Sequence, residues 1–315
     1  RLGLRLAQAG AVFAEEHGSL FGVGRDFLDA GVSHCVMEVS SHALEQKRVW
    51  GVGYDVAVFT NLSGEHLDYH PTMDAYFDAK KKLFFLNHKK GAAVVNWDDP
   101  WGQKLVAELP MTTVTFGLEP AAIVRALKYV PSEDGIDAQI TYPGGVMRIQ
   151  SALVGRHNLY NLLAAVGAAL ALSIAPADIV KGIAALKGVP GRFERVPNGR
   201  GLQIVVDYAH TDSALESLLM TAREFKPRRL ILVFGAGGDR DRDKRERMGR
   251  VAARLADWTV LTSDNPRSEE PADIIAAIEK GFAKEAVRTY EVEPDRRKAI
   301  VGALATANNV DIFLV

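Results

Sequence analysis

Cysteine is almost missing from this chain: Cys35 stands alone among 315 residues. That excludes an intrachain disulfide and, with no C-x-x-C pair, a cysteine zinc site. Inside an apolar run, Cys35 reads as a small buried core residue rather than a nucleophile. Charge of one sign is missing too, because 38 Lys+Arg against 39 Asp+Glu leave a net charge of −1 at pH 7. Such a balance gives no electrostatic case for nucleic acid or an acidic membrane surface. No apolar run approaches the roughly 18 residues that a membrane span needs. The basic start, Arg1-Leu-Gly-Leu-Arg-Leu-Ala7, soon meets Glu15 and Glu16 without a clear signal-peptide cleavage site. A cytoplasmic protein is the expectation. Internal repeats and low-complexity tracts are absent as well.

What is present is an ordinary globular composition, with 48% hydrophobic and 24% charged residues. The length favours two domains, each large enough for its own core. Strand-like and helix-like patterns alternate, which predicts α/β units around a mostly parallel sheet. Helical spacing of apolar residues marks 74–85 and 158–173. Residues 111–154 differ, with short β-rich runs between Pro, Gly and acidic turns. They predict a small, mostly antiparallel subsheet attached to the parallel one. Gly and Pro interrupt the pattern at Lys187-Gly-Val-Pro-Gly191, so the expected domains are 1–188 and 189–315. In the second, strands at 203–208, 230–234 and 258–262 alternate with helices at 213–225, 244–255 and 271–282. That is a Rossmann-like order.

Chemistry concentrates between residues 38 and 84. Here lie Glu38-Val-Ser-Ser-His-Ala-Leu44, Thr60-Asn-Leu-Ser-Gly-Glu-His-Leu-Asp-Tyr-His70 and Ala79-Lys80. The runs 34–39 and 54–60 look like buried strands ending on polar residues, and in an open α/β sheet ligands bind at strand carboxyl ends. Glu38, Ser40, His66 and Asp68 are therefore expected to converge, with oxygen and imidazole donors suited to a divalent cation. Each residue also has a plainer reading. Glu38 is then a solvated strand end, His66 a bystander, Lys80 one of three lysines on a wet helix face, and Gln46-Lys-Arg48 a polar helix end. Phe234-Gly-Ala-Gly-Gly-Asp239 follows a strand as a nucleotide loop or simply as a tight turn. Asp264-Asn-Pro-Arg267 reads equally as an Asn-Pro turn with a surface arginine.

Together with Asn96-Trp-Asp-Asp-Pro100, Gly155-Arg-His-Asn-Leu-Tyr-Asn161, Gly191-Arg-Phe-Glu194 and Val206-Asp-Tyr-Ala-His-Thr211, these motifs resemble the Mur ligase family. The resemblance covers about residues 25 to 315, in the family's order. It implies an ATPase-type central domain and an ATP-dependent amide-bond ligase of peptidoglycan synthesis. Within that reading Glu38, His66 and a carbamylated Lys80 form the catalytic metal site for Mg2+. Carbamylation needs a neutral amine, which desolvation and a nearby cation favour, while Lys81 and Lys82 stay solvated. Ser40, Gln46 and Arg48 match contacts to UDP-MurNAc-L-Ala-D-Glu. His157 and Asn158 match the adenine site, completed by Arg192, Asp207 and His210 from across the domain junction. Arg240, Asp264, Asn265, Pro266 and Arg267 match the residues that choose meso-diaminopimelate, whose distal carboxylate an arginine fork grips. Ser63-Gly64-Glu65 departs from the family's Thr-Arg-Asp, so the role of that arginine does not carry over.

The family's phosphate loop, G-x-x-G-K-[ST], is absent, and so is its uridine-binding domain. With no initial Met and an apolar run at 311–315, the chain reads as a fragment that is inactive alone and monomeric. The phosphate loop and the uridine-binding domain are both expected upstream of Arg1, and the family's C-terminal Gly and Glu for the other end of diaminopimelate just past Val315. Rival readings are another Mur or folylpolyglutamate-type ligase, and a non-catalytic ligand-binding remnant.

Overall fold

The computed structural model describes residues 11–14, 31–64, 69–86, 91–285 and 289–315. Two compact units emerge: Arg1–Arg125 with Leu163–Ala175, and Ala126–Leu162 with Pro176–Val315.

In the first unit, β3 (Val56–Phe59), β4 (Ala92–Asn96) and β5 (Thr113–Gly117) run parallel in sequence order. Their Val, Ala, Thr and Phe residues form short apolar runs typical of parallel strands, although Val58 of β3 is exposed. One face packs Ala57, Phe59, Ala93 and Val95 against Tyr76, Phe77 and Phe84. Those three aromatics belong to α2 (Met73–Leu86), which follows α1 (Ser41–Glu45). Next comes α3 (Pro100–Glu108), started by Asp99, whose Oδ1 accepts from Trp101 N at 2.8 Å and Gly102 N at 3.2 Å. Proline at the first helical position costs nothing there, because its missing N–H would have no intrahelical partner.

One expectation fails here. β1 (Ala11–Ala14) and β2 (His34–Met37) form a separate parallel pair, and Cys35 is exposed, with Val36 53% exposed beside it. An apolar run is buried only when other elements cover it. Among the described residues β2 pairs with β1 alone, so Cys35 is not a core residue.

The sheet continues past β5 into β6 (Val124–Ser132), β7 (Gly135–Tyr142) and β8 (Gly145–Ser151), in the order β3-β4-β5-β6-β7-β8. β7 and β8 pair antiparallel across a two-residue turn. The β-rich stretch thus extends the parallel sheet rather than standing apart from it. α4 (Arg156–Ala171) and α5 (Pro176–Ala185) follow.

The second unit holds β9 (Glu194–Arg195), β10 (Gln203–Val206), β11 (Leu230–Phe234), β12 (Trp258–Leu261), β13 (Tyr290–Val292) and β14 (Ile312–Leu314). Their order is β13-β12-β11-β14-β10-β9, parallel except where β9 meets β10. Parallel neighbours need crossovers, supplied by α6 (Asp212–Glu224), α7 (Asp243–Leu255), α8 (Pro271–Lys284) and α9 (Arg296–Thr306). All five residues of β11 are buried, as expected for the centre of a doubly covered sheet. Among the described residues, no helix is long and apolar enough to cross a membrane.

Candidate functional site

Because β11 and β12 are parallel neighbours with Phe234 opposite Leu261, the loops after them leave the sheet side by side. The first is the glycine loop beginning at Gly235, and the second carries Asp264, Asn265, Pro266 and Arg267. A Cβ on Gly235 would overlap the Thr262 carbonyl, and one on Gly238 would overlap that of Pro266. Close approach of two backbones, rather than a tight turn alone, requires glycine here. Gly238 N donates to Asn265 O at 2.8 Å, and Arg267 Nη1 donates to Gly238 O at 2.6 Å. Arg267 holds φ 51°, in the left-handed region, and Asp239 holds 52°. An ideal Cβ on Gly237 would lie 2.9 Å from Arg267 Nη1 and 4.0 Å from Arg240 Cγ. The two arginines singled out by sequence therefore flank one glycine.

Behind them sits a pair that sequence reasoning missed. Arg245, on α7, has a side chain only 2% exposed, and Glu269 one of 11%. Nη1 and Nη2 donate to Glu269 Oε2 and Oε1 at 2.9 and 2.7 Å. This fork, with Asp239 N as a further donor, holds the Glu269 carboxyl down at about 2. Asp239 accepts from Ser268 Oγ at 2.6 Å, which lowers its pKa too. In sequence Arg245 lies among Lys244, Glu246 and Arg247, where nothing distinguishes it from a solvated charge. An open cleft of about 820 Å³ runs alongside, lined by Arg242, Arg245, Ser268, Glu269 and Lys280.

A second group lies at the start of α4 and the end of β10. Burial lowers the His157 pKa; Asp207 opposes this and Arg192 adds to it, so the ring is neutral at pH 7. Asp207 takes Phe193 N on Oδ2 at 2.7 Å and Ala209 N on Oδ1 at 2.8 Å. Its carboxylate thereby ties the Arg192 turn to the end of β10. Tyr208 is 64% exposed, with the Arg192 guanidinium 5.1 Å above its ring and the His210 ring 5.0 Å away. An exposed ring flanked by guanidinium and imidazole is a surface on which a planar base can stack. Asn158 is buried and serves the helix start, donating to Val154 O at 2.8 Å and accepting from Asn161 at 3.1 Å.

The third group is in the first unit. Glu38 is exposed just after β2. Ser40 caps α1, its Oγ accepting from Ala43 N at 3.2 Å. Gln46 Oε1 accepts from Arg48 Nε and Nη2 at 2.9 and 2.7 Å, so the guanidinium is already oriented. Lys80 is half-buried, its Nζ 5.3 Å from the Tyr76 ring centre. Tyr76 stacks on His70 at 5.1 Å, and the buried His70 Nε2 lies 2.9 Å from Ser41 Oγ. Lys81 and Lys82, expected to be only solvated, are ion-paired. Lys81 meets Glu108 at 2.8 Å and Asp78 at 2.9 Å, and Lys82 meets Glu45 at 2.6 Å. Hydrogen bonds to Asp78 and then Glu108 raise the Lys81 pKa. Glu65, His66 and Asp68 lie outside the described residues. Among the described ones, no three His, Cys, Asp or Glu side chains are grouped to hold a metal. The donors named by sequence, a carboxylate, an imidazole and a carbamate oxygen, nonetheless suit a hard or borderline divalent ion. The Asn96-Trp-Asp-Asp-Pro100 motif braces the loop leading there: Asn96 Nδ2 donates to Thr60 O at 2.8 Å, and Asp99 Oδ2 accepts from Leu62 N at 3.2 Å.

Residues 20–169 match the Mur ligase middle domain, and residues 191–315 match the Mur ligase glutamate ligase domain. A UDP-N-acetylmuramoyl-L-alanyl-D-glutamate--2,6-diaminopimelate ligase from Geobacter metallireducens is 44% identical over 311 residues, covering 92% of this chain and 61% of that protein. A solved structure of a ligase of the same name has a TM-score of 0.63 at 35% identity, over 92% of this chain and 60% of that one. Folylpolyglutamate synthase of Mycobacterium tuberculosis, solved with ADP and AMPPCP, has a TM-score of 0.75 at 21% identity. That match covers 92% of this chain and 67% of the other, and it is a likeness of fold alone. The chain thus spans about three fifths of the length of its curated relative.

Proposed function

This chain belongs to the Mur ligase family, and on that premise we propose that it is the central and C-terminal part of an ATP-dependent diaminopimelate-adding ligase. The central domain is assigned to 1–188 and the C-terminal domain to 189–315. The reaction is assigned to the whole protein, acting in the cytoplasm on UDP-MurNAc-L-Ala-D-Glu, meso-diaminopimelate and ATP. The observation that carries the reading is the corner where Arg240 and Arg267 flank Gly237. Diaminopimelate differs from lysine by one carboxylate. An arginine spends one of its five N–H donors on Gly238 O and keeps a planar fork for such a group.

In the proposed sequence the D-glutamate side-chain carboxylate attacks the γ-phosphorus of ATP, and ADP leaves. The resulting acyl phosphate is attacked by an amino group of diaminopimelate, and phosphate leaves as the amide forms. Ser40, Gln46 and Arg48 would orient the UDP-linked substrate, with Arg48 held by Gln46 as a fork for carboxylate or phosphate. His157, kept neutral by burial, would bond adenine without charge repulsion from Arg192, together with Asn158, Asp207 and His210. Glu38, His66 and carbamylated Lys80 would hold magnesium. When bound there, the ion supplies positive charge against the developing phosphoryl negative charge.

The test is a ligation assay on the full-length protein with diaminopimelate and L-lysine in parallel. The parent should prefer diaminopimelate. Arg267→Ala should raise KM for diaminopimelate by roughly one to two orders of magnitude, about 1.5–3 kcal/mol for a hydrogen bond to a charged group. A parent that prefers lysine, or a variant that loses nothing, would sink the specificity reading.

A further inference from the structure

We infer that Arg245 and Glu269 are positioning residues for amino-acid selection: buried behind the two loops, they set the distance and angle between Arg240 and Arg267. The inference rests on the reading of those arginines as contacts to the amino-acid substrate. Glu269 lies two residues after Arg267, and Asp239 immediately precedes Arg240. Glu269 Oε1 accepts from Asp239 N at 2.7 Å, and Asp239 Oδ2 accepts from Ser268 N at 3.2 Å. Ser268 Oγ adds a bond to Asp239 Oδ1 at 2.6 Å. Every one of these bonds crosses from one loop to the other. Arg245 lies under both, its Nη1 and Nη2 on Glu269 and its Nη2 also 3.3 Å from Gly237 O. One guanidinium thus touches the glycine between the two arginines and the carboxylate that follows them.

The arrangement is a poor way to gain stability. A buried ion pair recovers its desolvation cost only when every donor is satisfied. Among the described residues Arg245 Nε is buried without a hydrogen-bond partner. What the pair does supply is direction, because a two-pronged guanidinium–carboxylate contact fixes both separation and plane. With its pKa at about 2, Glu269 stays ionised across any working pH. The loops are accordingly set before substrate arrives, so the cost of arranging two arginines around one carboxylate is met during folding.

The test uses the full-length protein with Glu269→Gln, Arg245→Lys and Ser268→Ala. Glu269→Gln should raise KM for the amino acid roughly tenfold and Ser268→Ala about two- to fourfold, with KM for ATP moving less than about twofold. Arg245→Lys keeps the charge but loses the fork, so its amino-acid KM should fall between parent and Glu269→Gln. Amide exchange at Gly238 and Ser268, read without any activity, should quicken in Glu269→Gln. Unchanged amino-acid KM in a folded variant, parallel rises for amino acid and ATP, or unchanged exchange would each overturn the inference. Should Glu269→Gln fail to fold, the exposed Ser268→Ala decides by the same KM comparison. A parent that uses lysine sinks the diaminopimelate reading alone, because the comparison then runs on lysine.

Discussion

Lys80 and Arg267 are both basic side chains to which chemistry is assigned, and the contacts described around them differ in kind. Lys80 lies over the face of Tyr76, which stacks on His70, which meets Ser41. Arg267 is held by a left-handed backbone and by a hydrogen bond donated to Gly238, where a Cβ would overlap the Pro266 carbonyl. Ring faces contribute about 0.5–1.5 kcal/mol each and tolerate sliding, whereas charge-assisted hydrogen bonds fix an angle. On the reading proposed above, a lysine that accepts a carboxyl group benefits from the ring face. On the same reading, an arginine that discriminates between two amino acids by one carboxylate benefits from the fixed angle.

The comparison breaks hardest at Lys80. Lys80→Ala in the full-length protein should lower kcat by about 10²–10³-fold, the scale for removing one group that stabilises transition-state charge. Millimolar acetate or formate should restore part of it by supplying the missing carboxylate. Near-normal turnover without rescue would reduce Lys80 to a surface charge, and the contrast with Arg267 would vanish.

A smaller effect separates glycines by what surrounds them. Gly238→Ala forces a Cβ into the Pro266 carbonyl, and such overpacking should lower stability by about 1–3 kcal/mol. Gly182, in α5, has nothing within 4 Å of a Cβ, so Gly182→Ala should raise stability by about 0.5–1 kcal/mol. Denaturant midpoints of the two variants should therefore move in opposite directions. If both fall or both rise, the close approach of the two loops is not what demands glycine.

The smallest effect is one of pH. The folded Glu269 carboxyl sits at about 2, below the roughly 4.3 of an unfolded glutamate. Its contribution to stability is therefore complete above the unfolded value and is lost as pH falls towards the folded one. Comparing Glu269→Gln with the parent from pH 6 down to pH 3, the gap in unfolding midpoint should be constant at first and then narrow. A gap that stays constant or widens on acidification would mean the Arg245 pair does not hold the carboxylate down.

Much of the fold was legible because local spacing encodes it. The helical spacing of apolar residues in 74–85 and 158–173 predicts helices found at Met73–Leu86 and Arg156–Ala171, and the apolar run 230–234 is the strand Leu230–Phe234. Motif order alone also pointed to the family, since each motif is a short contiguous string. Partner choice is a different kind of information. That β14 inserts between β10 and β11 is decided by how a whole sheet is covered. The exposure of Cys35 likewise depends on what covers β2, which no run of apolar residues reveals. Arg245 and Glu269, 24 positions apart, become one buried pair only because β11 and β12 are neighbours in register. Residue type and spacing determined which segments become strands, helices and reactive loops. Tertiary structure alone decided which loops meet, because the free energy of pairing strands belongs to contacts between segments far apart along the chain.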